Sequence, residues 1–184
     1  MMQSVLIQCL RADTQRMQAL QQAALLSLPD WCIAAGFVRN LAWDYCHHKT
    51  VATPLNDLDL IYFDPKDTSR ERDRDYERQL QQMTGLPWSV KNQARMHLRN
   101  GDPPYHSCTD AMTYWVECET AVVARLSGDE VEIVAPFGVE ALFQKTITLN
   151  AKRPKPDAFQ QRIEQKNWLR NWPELVVRYE QSPT

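Results

Sequence analysis

The sequence predicts an α+β (mixed α/β) fold in a single domain, and three features of its hydrophobic pattern support this class. Residues 31–35 form an apolar run of the length of a buried strand, and a helical period begins just past Gly36. Residues 57–63 are rich in β-forming side chains. Two further apolar runs, 121–126 and 130–135, flank three turn-forming residues and predict a β-hairpin. This order of elements is typical of a small mixed sheet flanked by helices.

Capping and helix-breaking residues set the limits of the helices in the first half of the chain. The first predicted helix covers 14–28 and ends at Pro29, because proline cannot continue a helix. A charge-dense helix follows the strand at 57–63. Its Thr68 and Glu71 have the spacing of a capping box. Gly85 is expected to end that helix.

The second half of the chain continues the alternation of strands and helices. Residues 88–92 predict a third strand, and 146–149 predict another strand after a helical turn that reaches Phe143. The last helix is expected to begin at an Asp157 N-cap and to end before Pro173.

The size and charge of the chain exclude several classes of protein. The 184 residues suffice for one domain, expected over 1–180, with a flexible tail at 181–184. Lys+Arg number 21 and Asp+Glu 23, so we expect no chain-wide basic surface and no long nucleic acid as partner. The longest apolar runs are too short for a membrane span, and the N-terminus lacks the pattern of a signal peptide. We therefore expect a cytoplasmic protein without a membrane partner.

Two aspartates at the start of the second predicted strand are the main candidates for chemistry. Alternate residues of a strand share a face, so Asp57 and Asp59 project side by side with Cα atoms about 7 Å apart. Carboxylates are costly to desolvate unless they are paired or bind a metal, which places them at an accessible edge of the sheet. Mg²⁺ fits such a pair, because it commonly binds one or two carboxylates together with phosphate oxygens. Alternatively, the two side chains only cap and pair.

The strand-to-helix junction at Gly36 supplies the other half of the predicted site. Glycine at such a junction adopts unusual dihedrals and lets the backbone approach a ligand. The N–H groups of Phe37, Val38 and Arg39 would point out of the helix N-terminus towards an anion, and the Arg39 side chain would add a charged donor. A phosphate site beside a metal site outlines phosphoryl or nucleotidyl transfer.

Four segments together resemble a known family. They are Ala35-Gly36-Phe37-Val38-Arg39-Asn40, Asp57-Leu58-Asp59, the stretch from Val90 to His97, and Ala135-Pro136-Phe137-Gly138. They are similar to a bacterial nucleotidyltransferase-like family, formerly described as a domain of unknown function, within the superfamily typified by DNA polymerase beta. The resemblance covers roughly residues 31–143. It implies the minimal nucleotidyltransferase fold and transfer of a nucleoside monophosphate from an NTP to an acceptor hydroxyl.

The resemblance also implies roles for single residues. Asp57 and Asp59 would be the catalytic metal ligands, with Mg²⁺ as the expected ion and Mn²⁺ as the alternative. The residues that would bind the NTP lie in two of the four segments and are Gly36, Phe37, Arg39, Asn40, Lys91, Asn92 and Arg95. Arg39 with Lys91 or Arg95 would neutralise developing charge. An exposed, solvated connection is the alternative interpretation of the basic stretch 91–99.

Two departures from the superfamily pattern favour a second hypothesis. The chain has Gly36-Phe37 where the pattern has Gly-Gly or Gly-Ser. The strand expected to carry a third carboxylate offers Asn92, and the possible replacements are Asp64, Asp110, Glu117 and Glu119. The alternative function is therefore a non-catalytic module that binds a nucleotide or a protein. The sequence does not identify the acceptor, the particular NTP or the oligomeric state.

Overall fold

A computed structural model describes residues 1–179 of the chain. The predicted tail at 181–184 lies outside the described residues. The helices are α1 (Met2–Ala12), α2 (Thr14–Leu25), α3 (Gly36–Cys46), α4 (Arg70–Thr84), α5 (Gln93–Asn100), α6 (Cys108–Met112), α7 (Pro156–Gln165) and α8 (Trp168–Asn171). The strands are β1 (Cys32–Ala34), β2 (Leu58–Tyr62), β3 (Trp88–Asn92), β4 (Val123–Ser127), β5 (Glu130–Val134), β6 (Thr146–Thr148) and β7 (Val176–Arg178). Short 3-10 turns cover Cys118–Thr120 and Glu140–Phe143.

The central sheet has the strand order β3-β2-β1-β4-β5, which confirms the predicted mixed sheet. Strands β2 and β3 are parallel, whereas β1 pairs antiparallel with both β2 and β4. The predicted hairpin is confirmed as β4 and β5. Strands β6 and β7 form a separate parallel pair. In the central sheet Asp59 has Ala34 and Ser89 as its neighbours in register, so β2 carries its second aspartate between two other strands.

Both faces of the central sheet are covered by core clusters. Leu58, Leu60 and Tyr62 belong to the largest core cluster, which includes buried residues of α1 to α4. Ile61 points to the opposite face and packs in a second cluster with Met112 of α6. Asp59 lies on that second face, because strand side chains alternate. A third cluster around Trp43 holds α7 and α8 against α3.

Three helices of the structure were not predicted. α1 carries the buried Leu6 and Leu10 one turn apart, and α2 follows directly because the Asp13 side chain accepts a hydrogen bond from the N–H of Arg16. α5 and α6 are short helices that the sequence pattern does not indicate. Their few apolar positions give too little helical period for detection.

Two predicted helix starts are wrong. Helix α4 has Ser69 as its N-cap, without a side-chain cap hydrogen bond, so the predicted Thr68–Glu71 capping box does not form. The last helix starts after Lys155 rather than at Asp157, with a proline in its first turn. It ends at Gln165, and the left-handed backbone of Asn167 separates α7 from α8. Among residues 1–179 no helix has the length and apolar character needed to cross a membrane.

Candidate functional site

Asp57 and Asp59 border one cavity of about 150 Å³. Asp57 comes directly before β2 and is exposed, whereas Asp59 is the second residue of the strand and is partly buried. The structure thus brings the two predicted carboxylates to the same accessible opening. Its other walls are the start of α3, the loop before β2, and helices α7 and α8.

The Asp59 carboxyl group lies in an environment that opposes its negative charge. Burial is the largest cause that raises its pKa, and the neighbouring charge of Asp57 adds to it. Lys166, Arg39 and Arg162 act in the opposite direction. A bound cation would relieve both unfavourable effects, because it would neutralise the two carboxylates together.

The junction before α3 differs from its predicted geometry. Gly36 does not have a positive φ; the unusual dihedrals belong to Ala35, the N-cap, with φ 57° and ψ −125°. Such a conformation is strained for a residue with a Cβ, and strain of this kind clusters at functional sites. Gly36 instead provides space: a Cβ there would lie 2.9 Å from Nδ2 of Asn40 and 3.2 Å from Nη2 of Arg39.

Arg39 is a buried guanidinium whose hydrogen bonds go to uncharged groups. Its side chain is 4% exposed and lies between the rings of Trp43 and Trp168, with Cζ 5.0 Å and 4.7 Å from their centroids. It donates to Oδ1 of Asn40 at 2.9 Å and to Oγ1 of Thr120 at 2.9 Å. Within residues 1–179 no carboxylate oxygen lies within 4.0 Å of its nitrogens.

Burial lowers the pKa of Arg39 to about 10, against the opposing effect of Glu117, so the group stays charged at neutral pH. A buried cation that no carboxylate contacts directly gains from an anion that joins it. Because Arg39 also borders the cavity of the two aspartates, this cavity offers a place for such an anion.

The other predicted residues of the α3 segment have more limited roles. The Phe37 side chain is fully buried in the main core, so only its backbone could contact a ligand. The N–H of Arg39 donates to the carbonyl oxygen of Ala35 at 3.2 Å and therefore already has a partner. Asn40 borders the cavity and accepts hydrogen bonds from Arg39.

Helix α7 and its C-cap contribute two cations to the site that no sequence motif identifies. Arg162 donates to both oxygens of the buried Glu117, at 2.8 Å and 3.0 Å, and Nζ of Lys166 lies 3.8 Å from Oδ2 of Asp57. Both residues border the cavity of the two aspartates. Their spacing of four residues places them on one helix face, beside the stripe of the buried Phe159 and Ile163. That pattern identifies a polar helix face but not the residues that this face contacts in the fold.

A second cavity, of about 510 Å³, shares Ala35, Asp59 and Arg162 with the first. Lys91 also borders it, so the structure places this predicted residue near Asp59. In β3 the register neighbour of Asp59 is Ser89, a residue without charge. The two cavities therefore meet at Asp59.

Asn92 and Arg95 do not reach either cavity. Asn92 is fully buried, and its side chain bonds the backbone of Asp64, Asp67 and Ala94, which makes it a structural residue rather than a ligand. Arg95 forms an ion pair with Asp73 at 2.5 Å. Within the stretch 91–99, only Lys91 of the three predicted residues therefore borders the second cavity. Asn92 is the buried N-cap of α5, and Arg95 pairs with Asp73 outside both cavities.

Of the four possible replacements for a third carboxylate, only Glu117 borders a cavity shared with Asp59, and Arg162 already binds both of its oxygens. Asp64 pairs with Arg72, while Asp110 caps the start of α6. Glu119 is buried and accepts hydrogen bonds from Thr146 and Thr148.

The donor set suits a hard cation that takes only part of its shell from the protein. Among the described residues, no group of three or more His, Cys, Asp or Glu side chains could hold a metal ion. Asp57 and Asp59 offer carboxylate oxygens at an open cavity, and a Mg²⁺ ion typically adds water and phosphate oxygens to one or two such ligands. The pair therefore fits a metal that arrives with a phosphate-bearing ligand.

A family model and a solved structure match this chain. A sequence model of a family described as nucleotidyltransferase matches residues 21–177. A solved structure described as "The NMR structure of the protein reveals a CCA-adding enzyme head domain" is 29% identical in sequence, with a TM-score of 0.81 over 95% of each chain. A comparison with curated proteins gives no match. The family match includes every residue that borders the two cavities.

Proposed function

This chain belongs to the nucleotidyltransferase family, and from that premise we propose that it transfers a nucleoside monophosphate from an NTP to an acceptor hydroxyl with the help of a divalent cation. The acceptor oxygen would form a bond to the α-phosphorus, the bond to pyrophosphate would break, and the hydroxyl proton would pass to solvent. Chemistry of this kind depends mainly on positioning and on stabilising the charge of the phosphates.

The observation that carries the proposal is the position of Arg39. Its buried guanidinium, without a carboxylate within 4.0 Å among residues 1–179, shares a small cavity with Asp57 and Asp59. A metal–triphosphate complex satisfies both requirements of this cavity, because it presents a cation to the aspartates and oxygen anions to the arginine.

Each side chain then has a defined task. Asp57 and Asp59 would hold Mg²⁺, which would neutralise charge on the phosphate oxygens. Arg39 and Lys166 would bind the triphosphate from the wall formed by α3, α7 and α8. Gly36 keeps the space that Arg39 and Asn40 occupy. Lys91 approaches Asp59 from the second cavity, on the side left for the acceptor.

Calorimetric titration of Mg-NTP into the wild type and into Asp57→Asn/Asp59→Asn tests the proposal. We expect the variant to lose at least about ten-fold in affinity, because two metal ligands are removed. The matched control is Asp75→Asn/Asp129→Asn, which neutralises two exposed carboxylates outside both cavities. Equal affinity in the wild type and the Asp57/Asp59 variant would show that the metal assignment is wrong.

A non-catalytic nucleotide-binding module is the second candidate function. It is favoured by the uncharged Ser89 beside Asp59 and by the engagement of Glu117 with Arg162. Incubation of the protein with each labelled NTP and a cell extract separates the two candidates. If the wild type transfers label in a Mg-dependent reaction and the Asp57→Asn/Asp59→Asn variant does not, the result supports the transferase. Tight binding of NTP without transfer supports the module.

A further inference from the structure

A groove of about 620 Å³ lies between helices α4 and α5 along the free edge of β3, and we call it the α4–α5 groove. Its charged lining consists of Arg70 and Arg74 from α4, Lys91 from β3, Arg95 and Arg99 from α5, and two carboxylates. Five cationic side chains therefore face two acidic ones. This local excess contrasts with the net charge of −2 for the whole chain.

The two carboxylates of the groove are directed at the edge of the sheet. Asp73 Oδ2 accepts from the N–H of Asn92 at 3.1 Å and pairs with Arg95. Glu77 Oε1 accepts from the N–H of Val90 at 2.8 Å. Both side chains therefore satisfy backbone donors that an edge strand would otherwise expose. Asp73 and Glu77 thus have a structural reason to be in the groove.

The remaining cations of the groove lack such partners. In the part of the chain that the structure describes, no carboxylate oxygen lies within 4.0 Å of the charged nitrogens of Arg70, Arg74, Lys91 or Arg99. Four unpaired cations on the walls of one concave surface produce a positive potential there, which attracts anions. Arginine in particular matches the geometry of phosphate oxygens.

The groove is connected with the site of the proposed chemistry. Lys91, Met96 and Arg99 border both the α4–α5 groove and the second cavity, which contains Asp59. Arg39 borders the first cavity but not the second, so the second cavity leads to Asp59 past a different set of residues. A molecule that enters through the α4–α5 groove would thus reach Asp59 through the second cavity, whereas the triphosphate would lie in the first.

We propose that the acceptor carries phosphate, with its reacting hydroxyl beside Asp59 and its phosphate groups held in the α4–α5 groove by Arg74 and Arg99. This inference rests on the proposed function, whose site it completes with a substrate class. The small number of cations limits the contact to a few phosphates, which agrees with the absence of a chain-wide basic surface. A short phosphodiester chain and a small phosphorylated compound both have this chemistry.

Fluorescence anisotropy with a labelled six-residue oligoribonucleotide tests the proposal, in the presence and absence of glucose 6-phosphate as competitor. For Arg74→Gln/Arg99→Gln we expect affinity at low salt to fall by about ten-fold and the salt slope of binding to fall by about one to two, since two phosphate contacts are lost. The control is Arg78→Gln/Arg170→Gln, which removes the same charge from exposed positions outside the groove.

The outcomes separate the two sources of phosphate. If the groove variant binds the oligonucleotide more weakly than the wild type, and glucose 6-phosphate does not displace it, the result supports a phosphodiester chain. If millimolar glucose 6-phosphate displaces the oligonucleotide from the wild type but not from the groove variant, the result supports a small phosphorylated acceptor. Equal binding by the groove variant and the wild type, or an equal loss in the control variant, would overturn the proposal.

Failure of this inference is distinguishable from failure of the proposed function. The groove variant is expected to bind Mg-NTP as the wild type does, because Arg74 and Arg99 do not border the first cavity. Conversely, Asp57→Asn/Asp59→Asn is expected to lose Mg-NTP but to retain groove-dependent binding of the oligonucleotide, because the proposed phosphate contacts are those of Arg74 and Arg99. Measuring both ligands with both variants therefore tests the two sites separately.

Discussion

The guanidinium carbon of Arg39, on α3, lies 4.7 Å from the ring centroid of Trp168, on α8. Trp168 is 2% exposed, and its ring also lies 5.6 Å from the guanidinium of Arg162. The indole thus fixes the position of one cation and packs against a second. α8 has only four residues, yet its Trp168 contacts two of the cations that border the first cavity.

Trp168→Ala is expected to weaken both the fold and nucleotide binding. Removal of a buried tryptophan costs about 3–5 kcal/mol of unfolding free energy. Trp168→Phe keeps a ring beside Arg39 and should lose less of both. Urea unfolding followed by calorimetric titration at a temperature where both variants are folded measures the two effects. Wild-type affinity for Mg-NTP in a folded Trp168→Ala variant would contradict this role of the indole.

Arg39→Met should separate stability from binding. The buried guanidinium makes its hydrogen bonds to uncharged groups, so its replacement by an apolar side chain of similar length is expected to change the unfolding free energy by less than about 1 kcal/mol. The affinity for Mg-NTP should fall at least about ten-fold, because a charged hydrogen-bond donor to phosphate is lost. Thermal unfolding and calorimetric titration give the two values. A large loss of stability with unchanged affinity would assign Arg39 to the fold instead.

The central sheet could be predicted from the sequence because its signals are local. Residues 88–92 have the expected limits of β3, and the alternation along β2 identifies which side chains enter each core cluster. α5 and α6 were missed since they are short and have few apolar positions. Their existence depends on what they pack against, which a sequence pattern does not contain.

The candidate site likewise combines residues that local sequence signals identify with residues that only packing brings together. Asp57, Asp59, Gly36 and Arg39 lie within two short segments, and the spacing of those segments indicates the chemistry. Arg162 and Lys166 come from the far end of the chain, and only the packing of α7 and α8 around Trp43 brings them to the cavity. Asn92 has the right position along the sequence, but its amide is used to cap α5 and to bond a neighbouring loop.

The raised pKa of Asp59 predicts opposite pH effects on stability and on metal binding. Because the folded-state pKa lies above the unfolded one, ionised Asp59 destabilises the metal-free protein at neutral pH, and this cost disappears as the pH falls through the folded pKa. Asp59→Asn should therefore be more stable than the metal-free wild type at neutral pH, and the difference should shrink in acid. Binding of Mn²⁺ by the wild type should weaken over that acid range. A stability difference that does not depend on pH would rule out this explanation.

Lys166→Met tests whether an internal cation competes with the metal. In the metal-free protein the ammonium lies 3.8 Å from an oxygen of Asp57, with both side chains substantially exposed. Exposed pairs of this kind contribute about 0.2–1 kcal/mol, so loss of the ammonium should raise the affinity for Mn²⁺ alone by about two- to five-fold. The affinity for Mn-NTP should fall, because the same ammonium borders the cavity proposed for the triphosphate. Electron paramagnetic resonance titration of free Mn²⁺, with and without NTP, measures both.

Arg170→Met is the control for this experiment, since it removes one positive charge from an exposed position on α8 outside the cavity. A general electrostatic effect would also strengthen the binding of Mn²⁺ and weaken that of Mn-NTP, because the free ion is positive and its NTP complex is negative, but it would appear equally in the control. Opposite changes in Lys166→Met alone would mean that Lys166 moves from Asp57 to phosphate when the metal–nucleotide complex binds. Lys166 would then couple the binding of metal and nucleotide, because each ligand would raise the affinity of the protein for the other.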